Sequence, residues 1–325
     1  MSFESMRFSK TSRMIVETCA GVKPGENVII VADTNTLSIA ESLAGACQAV
    51  GAETVICIMT PRKMHGNEPP PVVAAAMLGA QVILTPTTYS FSHTDAAIAA
   101  MRKGTRRVTL REVTEDTYVH GAIAADYAKV FADSKAVAEV LTKASTIRMT
   151  TALGTDITLS VKGRTGTFLG GIACPPRMST PMPAGEGAVA PIEGTTEGTL
   201  IVDHAIDGIG LLSEPVTFTI RRGRVVDIKG GKEVALLREI MGPDECSTNI
   251  AEFAIGTNPL SRMTGNVMED KMKQGCVHIA IGDNHSLGGS VNCPIHLDMV
   301  ILNPSVWMDG KAVVVNGDLT IATYR

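Results

Sequence analysis

The stretch CVHIAIGDNHSLGGSVNCPIHLDMVI, residues 276–301, holds three of the chain's seven histidines, His278, His285 and His296, and two aspartates, Asp283 and Asp298. In an extended strand, side chains two apart share a face, so His296 and Asp298 point one way while Ile295 and Leu297 point the other. Such a pair can hold a divalent ion; a buried histidine bonded to an aspartate is the plainer reading. Two neighbouring segments shift the balance. His278 interrupts the apolar run GCVHIAIG, and Glu252 interrupts NIAEFAIG between Ala251 and Phe253. An ionisable group inside such a run must be paired, neutralised or metal-bound, because an unpartnered buried charge is costly. Glu186, in the glycine- and proline-rich PAGEGAVAP, is a further carboxylate whose plain reading is solvent exposure. Nitrogen and oxygen donors without thiolate suit zinc, manganese, cobalt or ferrous ions and leave positions open for water or substrate. Cys293 stands an odd number of residues from His296 and so faces away from it; with Cys276 it reads as core.

The elements that must position these residues come in two textures. The first part alternates: NVIIVAD (27–33) is a buried-strand run, residues 37–52 have helical spacing and end at Gly51, and TVICIMT (54–60) is a second strand. QVILTPTT (81–88) and RRVTL (106–110), with helical segments before and after the former, continue the rhythm. Alternating strands and helices imply a doubly wound parallel sheet. After a long helical segment at 127–144 the pattern changes to short alternating runs punctuated by glycine, DITLSV, GTLIVDH, VTFTIRRGRVVDIKGG and KAVVVNGDLTI, a β-rich α+β region. The expected domains are 1–145, α/β, and 146–325, β-rich and metal-binding.

Composition closes several other routes. With 4% aromatic residues, a net charge of −4 and RKGTRR (102–107) as its one basic cluster, the chain has little material for a nucleic-acid surface. No G-x-G-x-x-G follows the first strand and no P-loop is present. The Asp33, Thr34 and Asn35 turn lies where open α/β sheets bind ligands, yet an N-cap of the next helix by Thr or Ser is the simpler expectation. No run reaches the ~18 apolar residues of a membrane span and the N-terminus lacks the core of a signal peptide, so a cytoplasmic protein is expected. Seven cysteines, odd in number and without C-x-x-C, argue against a disulfide framework and read mostly as reduced core residues. His65, His93 and His120 read as structural or solvent-facing, and His204 beside Asp203 points away from it on a strand.

Taken in order, PAGEGAVAP…EGTTEGTL, NIAEFAIGTNP, VHIAIGDN and PIHLD resemble the M29 metallo-aminopeptidases, the aminopeptidase T and aminopeptidase S group. The resemblance implies a metal centre of two zinc, cobalt or manganese ions in the second domain, a small-molecule or short-peptide substrate, and a homodimer. It implies Glu186, Glu252, His278, His296 and Asp298 as ligands, with Glu252 as bridge and Glu269 of NVMEDK as the remaining carboxylate. Two ions about 3.5–4 Å apart would lower the pKa of a shared water toward ~7 and polarise an amide carbonyl. His285 stands where those peptidases carry a tyrosine, which makes it the candidate proton donor to the leaving amine.

A second likeness, at TEGTL, GGSVNCPIHLD and KAVVVNGDL, is to the ferrous 2,5-dihydroxypyridine 5,6-dioxygenases. It implies one Fe(II) on two histidines and an aspartate, with Glu252 standing where that family has one of the histidines. A triad of His278, His296 and Asp298 keeps this alternative open. The presence of both Glu186 and Glu252 places the expectation on the two-metal hydrolase, with the dioxygenase second and a closed, structural metal site third.

Overall fold

A computed structural model of the chain describes residues 3–321, with side chains from Met6 onward; the outermost ends of the two expected domains, 1–2 and 322–325, lie outside the described residues. Among the described residues there are three sheets, one of five strands, one of eight and one of seven. No described helix is long and apolar enough to cross a membrane.

The first compact unit takes the residues up to Phe131 together with Gly170–Ala184. Its sheet is parallel throughout, in the order Glu53–Met59, Asn27–Asp33, Val82–Thr87, Arg106–Arg111, Ser179–Met182. The four strands read from the apolar runs are there, and the fifth returns from later in the chain. Ile29, Val31 and Ile83 share a core with Val73, Met77, Ala97 and Ala100 of the helices Pro71–Met77 and Asp95–Arg102. Helix Leu37–Val50 ends as its sequence implies, on Gly51 in the left-handed region at φ 86°. Its start differs from expectation, for the Thr36 side chain caps no helical amide and its hydroxyl donates to the Pro86 carbonyl at 2.7 Å. Buried Asp33 accepts from the Thr88 amide at 2.7 Å and the Asn35 amide at 3.1 Å, so this turn ties two strand ends together.

The second unit comprises Ala132–Leu169 and everything from Gly185. Texture marks a change near residue 145 but carries no information about the short segment that goes back to the first sheet. The eight-stranded and seven-stranded sheets of this unit share one core. From the first come Ile147, Met149, Leu159, Leu200, Phe218 and Val306; from the second, Phe253, Ile255, Val277, Ile279, Ile281, Leu297, Met299 and Ile301.

The seven-stranded sheet carries the ionisable residues on its other face. Its central strands are Glu186–Val189, Ile250–Gly256, Val277–Gly282 and His296–Ile301, each antiparallel to its neighbour. Along the last two, odd-numbered residues enter the core and even-numbered ones leave it. Strand Ile250–Gly256 departs from this rule, because Ile250 is a core residue and simple alternation from it would send Glu252 into the core as well. A register shift between Ile250 and Glu252, a β-bulge, resets the parity: Ile250 pairs with Ile281, Glu252 with Ala280. Phe253 and Ile255 then face the core and Glu252 faces away from it.

Phe253 is fully buried and fills that core directly beneath Glu252. Phe253→Ala is expected to cost about 3–5 kcal/mol, read as a lowered urea midpoint with the donor residues themselves unchanged.

Candidate metal centre

Each ionisable side chain on the outer face of this sheet has a small residue opposite it on one flank, while Val300 flanks His278 and Leu169 flanks Glu186 on the other. His278 pairs with Ala254, both Glu252 and Asp298 pair with Ala280, His296 pairs with Gly282 and Glu186 pairs with Gly256. Residues directly opposite on antiparallel strands lie only about 4.5–5.5 Å apart. A large neighbour at any of these positions would occupy the space into which the polar side chains converge.

Glu186, Glu252, His278 and Asp298 are all buried. Glu252 presents one oxygen to each imidazole: Oε1 lies 3.5 Å from His278 Nε2 and Oε2 lies 3.0 Å from His296 Nε2. His278 Nε2 is also 3.6 Å from Glu186 Oε2 and 4.0 Å from Asp298 Oδ1, and His296 Nε2 is 3.5 Å from Asp298 Oδ1. Donor atoms within 4.8 Å of one another form two sets that share Glu252, namely Glu186, Glu252, His278 and Glu252, His296, Asp298. Five of the six residues expected as ligands are therefore gathered here. The sixth is not. Glu269 is buried on the short helix Val267–Asp270, its Oε1 3.3 Å from both the amide and Nε of Arg262, and it belongs to neither set. A helix residue cannot be placed on the face of a strand by sequence spacing, so only the fold locates it. His285 opens the exposed 3₁₀ turn His285–Leu287 and is likewise in neither set.

What sequence reading missed is Lys271, the residue that follows this helix. Its Nζ donates to Asp298 Oδ2 at 2.9 Å and lies 3.6 Å from Glu186 Oε2. The helix that presents it is pinned by Asp270, which accepts from the Thr264 and Gly265 amides at 2.9 and 2.7 Å and meets His204 Nε2 at 2.7 Å. His204 thus pairs with Asp270 and not with its neighbour Asp203. A lysine after a short helix reads as surface in any periodicity analysis; only the buried carboxylates facing it mark it out.

The electrostatics call for positive charge. Burial would raise Glu252, but the two imidazoles outweigh it and hold the carboxyl down to about 2. Burial likewise opposes ionisation of Asp298, yet Lys271 and His296 keep it well below the usual carboxylate range. Burial lowers His296, and the carboxylates of Asp298 and Glu252 overcome this and push it up to about 11. His278 moves up in the same way, with Glu252 beside it. His296 Nδ1 lies 2.7 Å from the Asp283 carbonyl, which fixes the ring with Nδ1–H as donor and turns Nε2 toward the carboxylates. In the neutral ring that atom is a lone pair facing lone pairs, so a cation, either a proton or a metal, must lie between them. Glu186 Oε2, His278 Nε2 and Asp298 Oδ1 have no hydrogen-bond partner among the described residues, although each is buried. Orphaned acceptors that face one another are what a divalent cation would satisfy, and the donor set fits one.

The loop before His296 is tied down from two directions. Glu193 accepts from the Ser290 amide at 2.7 Å and Asn284 Nδ2 at 2.9 Å and pairs with Arg164 at 2.5 Å. Although burial would raise Glu193, these partners hold it down to about 2. Contrary to the reading of the cysteines as reduced, Cys246 and Cys293 form a disulfide with Cα atoms 5.7 Å apart. Their separation of 47 residues gives no local cue. The link joins the loop to the turn Glu245–Thr248 that leads into the Glu252 strand. Openness is uneven: the His296 side chain is 31% exposed while those of Glu186, Glu252, His278 and Asp298 do not exceed 7%, so solvent reaches the cluster past His296.

Comparison with known proteins places this geometry. A family profile described as NicX: 2,5-dihydroxypyridine 5,6-dioxygenase matches residues 8–321. The 2,5-dihydroxypyridine 5,6-dioxygenase of Pseudomonas putida is 29% identical over 143 residues, 40% of this chain and 41% of that protein, so the chain spans under half the length of this curated relative. Among solved structures, the 2,5-dihydroxypyridine dioxygenase of Pseudomonas putida KT2440 superposes with a TM-score of 0.79 at 20% identity, over 98% of both chains. AmpT from Thermus thermophilus gives 0.72 at 16% identity, over 97% of this chain and 99% of that one. Both structural likenesses are of the fold.

Metal must compete with a proton for His296, whose raised value keeps it charged at neutral pH in the metal-free chain. Apparent affinity for a divalent ion is thus expected to rise with pH between 6 and 8, by about tenfold per unit for each proton displaced. Calorimetric titration at several pH values checks the sign. Metal retention is expected to be lost in Glu252→Ala and His296→Ala and kept in Glu269→Gln, as measured by elemental analysis.

Proposed function

The chain belongs to the 2,5-dihydroxypyridine 5,6-dioxygenase family, and on that footing we propose that it is a metal-dependent ring-opening dioxygenase whose substrate is a dihydroxylated pyridine or a closely similar ring. The observation that carries the reading is the set Glu252, His296 and Asp298, with oxygen and nitrogen donors turned toward one space and an approach left open past His296. Glu252, His296 and Asp298 would hold a ferrous ion, which would supply the one-electron chemistry needed to add dioxygen to an electron-rich ring.

The chain's own residues prepare that chemistry in separable ways. The Asp283 carbonyl holds His296 in one tautomer and orientation. Glu193, Arg164 and the Cys246–Cys293 link hold the loop that carries Asp283, and so keep the open side of the centre shaped. Ala280 and Gly282 leave the floor of the site free of side chains. Lys271 draws on Asp298 and Glu186 from the closed side, leaving the exposed edge of His296 as the face on which a substrate can lie.

A second reading, hydrolysis of a peptide or small amide by metal-activated water, is favoured by one observation. Glu252 offers its two oxygens to two different imidazoles, the posture of a carboxylate that bridges two ions.

Protein reconstituted with Fe(II) under anaerobic conditions and then exposed to air with 2,5-dihydroxypyridine decides between them. The expected result is loss of the ring's ultraviolet absorption with uptake of one dioxygen per substrate, abolished in His296→Ala. Release of p-nitroaniline from aminoacyl anilides by the zinc- or cobalt-loaded protein, with no oxygen uptake on any dihydroxypyridine, would instead establish the hydrolase.

A further inference from the structure

Among the buried titratable groups of the second unit, Lys271 is the cation that sits inside the donor cluster. Its Nζ lies 2.9 Å from Asp298 Oδ2 and 3.6 Å from Glu186 Oε2. The same Glu186 oxygen is 3.6 Å from His278 Nε2, so the ammonium shares its carboxylate with the very set, Glu186, Glu252 and His278, that a second ion would need. We propose that the Lys271 ammonium takes the place of a second metal ion, so that the centre binds one divalent ion, at Glu252, His296 and Asp298, and excludes another.

Charge supports this independently of distance. Three carboxylates, Glu186, Glu252 and Asp298, are balanced by one ammonium and one divalent ion with both imidazoles neutral. A second divalent ion would leave two positive charges uncompensated among side chains that are almost wholly buried, where charge is least tolerated. Nor can the lysine readily swing away. It is 7% exposed and follows directly on Asp270, which is fixed by His204 and the Thr264 and Gly265 amides. His278 Nε2 faces that same Glu186 oxygen at 3.6 Å, so the carboxylate a second ion would need beside this ring is one whose charge the ammonium already shares.

The inference rests on the metal-centre reading but not on which reaction the centre performs. Its test is stoichiometry. The full chain is equilibrated with Mn2+ alone, freed of excess ion, and assayed by elemental analysis, with electron paramagnetic resonance on the same samples. The wild-type chain is expected to hold one equivalent with the six-line spectrum of an isolated ion, and Lys271→Arg to do the same. Lys271→Ala is expected to take up two equivalents, a twofold change, and to show the multiline signal of coupled ions. Lys271→Gln, uncharged and of similar length, should also reach two and serves should the alanine chain not fold. Two ions in the wild type, or one in both uncharged variants, overturns the proposal while leaving the centre itself intact. No bound ion in any chain overturns the metal-centre reading, and the proposal with it.

Discussion

Three carboxylates packed side by side on one face of a sheet, away from water, set the terms for the rest of the second unit. Removing each from solvent costs several kcal/mol even after local relaxation. Glu186 and Asp298 nevertheless each bring a donor atom within 4.8 Å of one on Glu252. Nothing in their own chemistry keeps them together; their mutual repulsion would separate them. They are held by backbone pairing fixed elsewhere and by positive charge delivered among them. Lys271 and the two imidazoles do this for the chain alone, and a divalent ion would take over from the imidazole protons.

The pairing is fixed from beneath. Strands Ile250–Gly256, Val277–Gly282 and His296–Ile301 send one face into a core of Phe253, Ile279, Met299 and their neighbours. Because the side-chain period is two, a slip of one residue in any of them would bury a histidine or carboxylate in hydrocarbon and expose an isoleucine. The hydrophobic core therefore holds the register of the polar face far more firmly than the polar contacts could. The bulge at Ile250 and Glu252 belongs to the same logic, for it lets one strand begin with its core residue at an even position and continue with core residues at odd ones. It is the smallest change that turns Glu252 out of the core and keeps Ile250 in.

Which residues were legible from the sequence follows from this periodicity. His278, Glu252, His296 and Asp298 stand out because each is an ionisable residue on an otherwise apolar strand, where alternation gives a definite side to all but Glu252, whose side the bulge sets. Glu186 had no such signal in its glycine-rich surroundings and was recovered through resemblance to the M29 peptidases. Glu269 and Lys271 lie on and just after a one-turn helix whose orientation depends on Asp270 and His204, contacts between segments 66 residues apart. No local pattern could say which of the two would reach the cluster, and it is the lysine, not the carboxylate, that meets Asp298 and Glu186. The fifth strand of the parallel sheet and the Cys246–Cys293 link were hidden for the same reason: each is a meeting of segments brought together only by the complete fold.

The fold is shared by a 2,5-dihydroxypyridine dioxygenase and by AmpT from Thermus thermophilus, so the frame alone does not select the reaction. What selects it must be small and local: how many cations the site accepts and which of its sides is open. In this chain both are set by residues outside the strands. The number of cations depends on a lysine carried by a short helix, and the open side depends on a loop held by Glu193 and a disulfide. Strand residues define where donors can be, and the connecting segments decide what those donors hold. A change of chemistry on this fold therefore does not require rebuilding the sheet. Exchanging one charge on the helix beside it would be enough to alter the count of ions, and with it the class of reaction the same carboxylates and imidazoles can support.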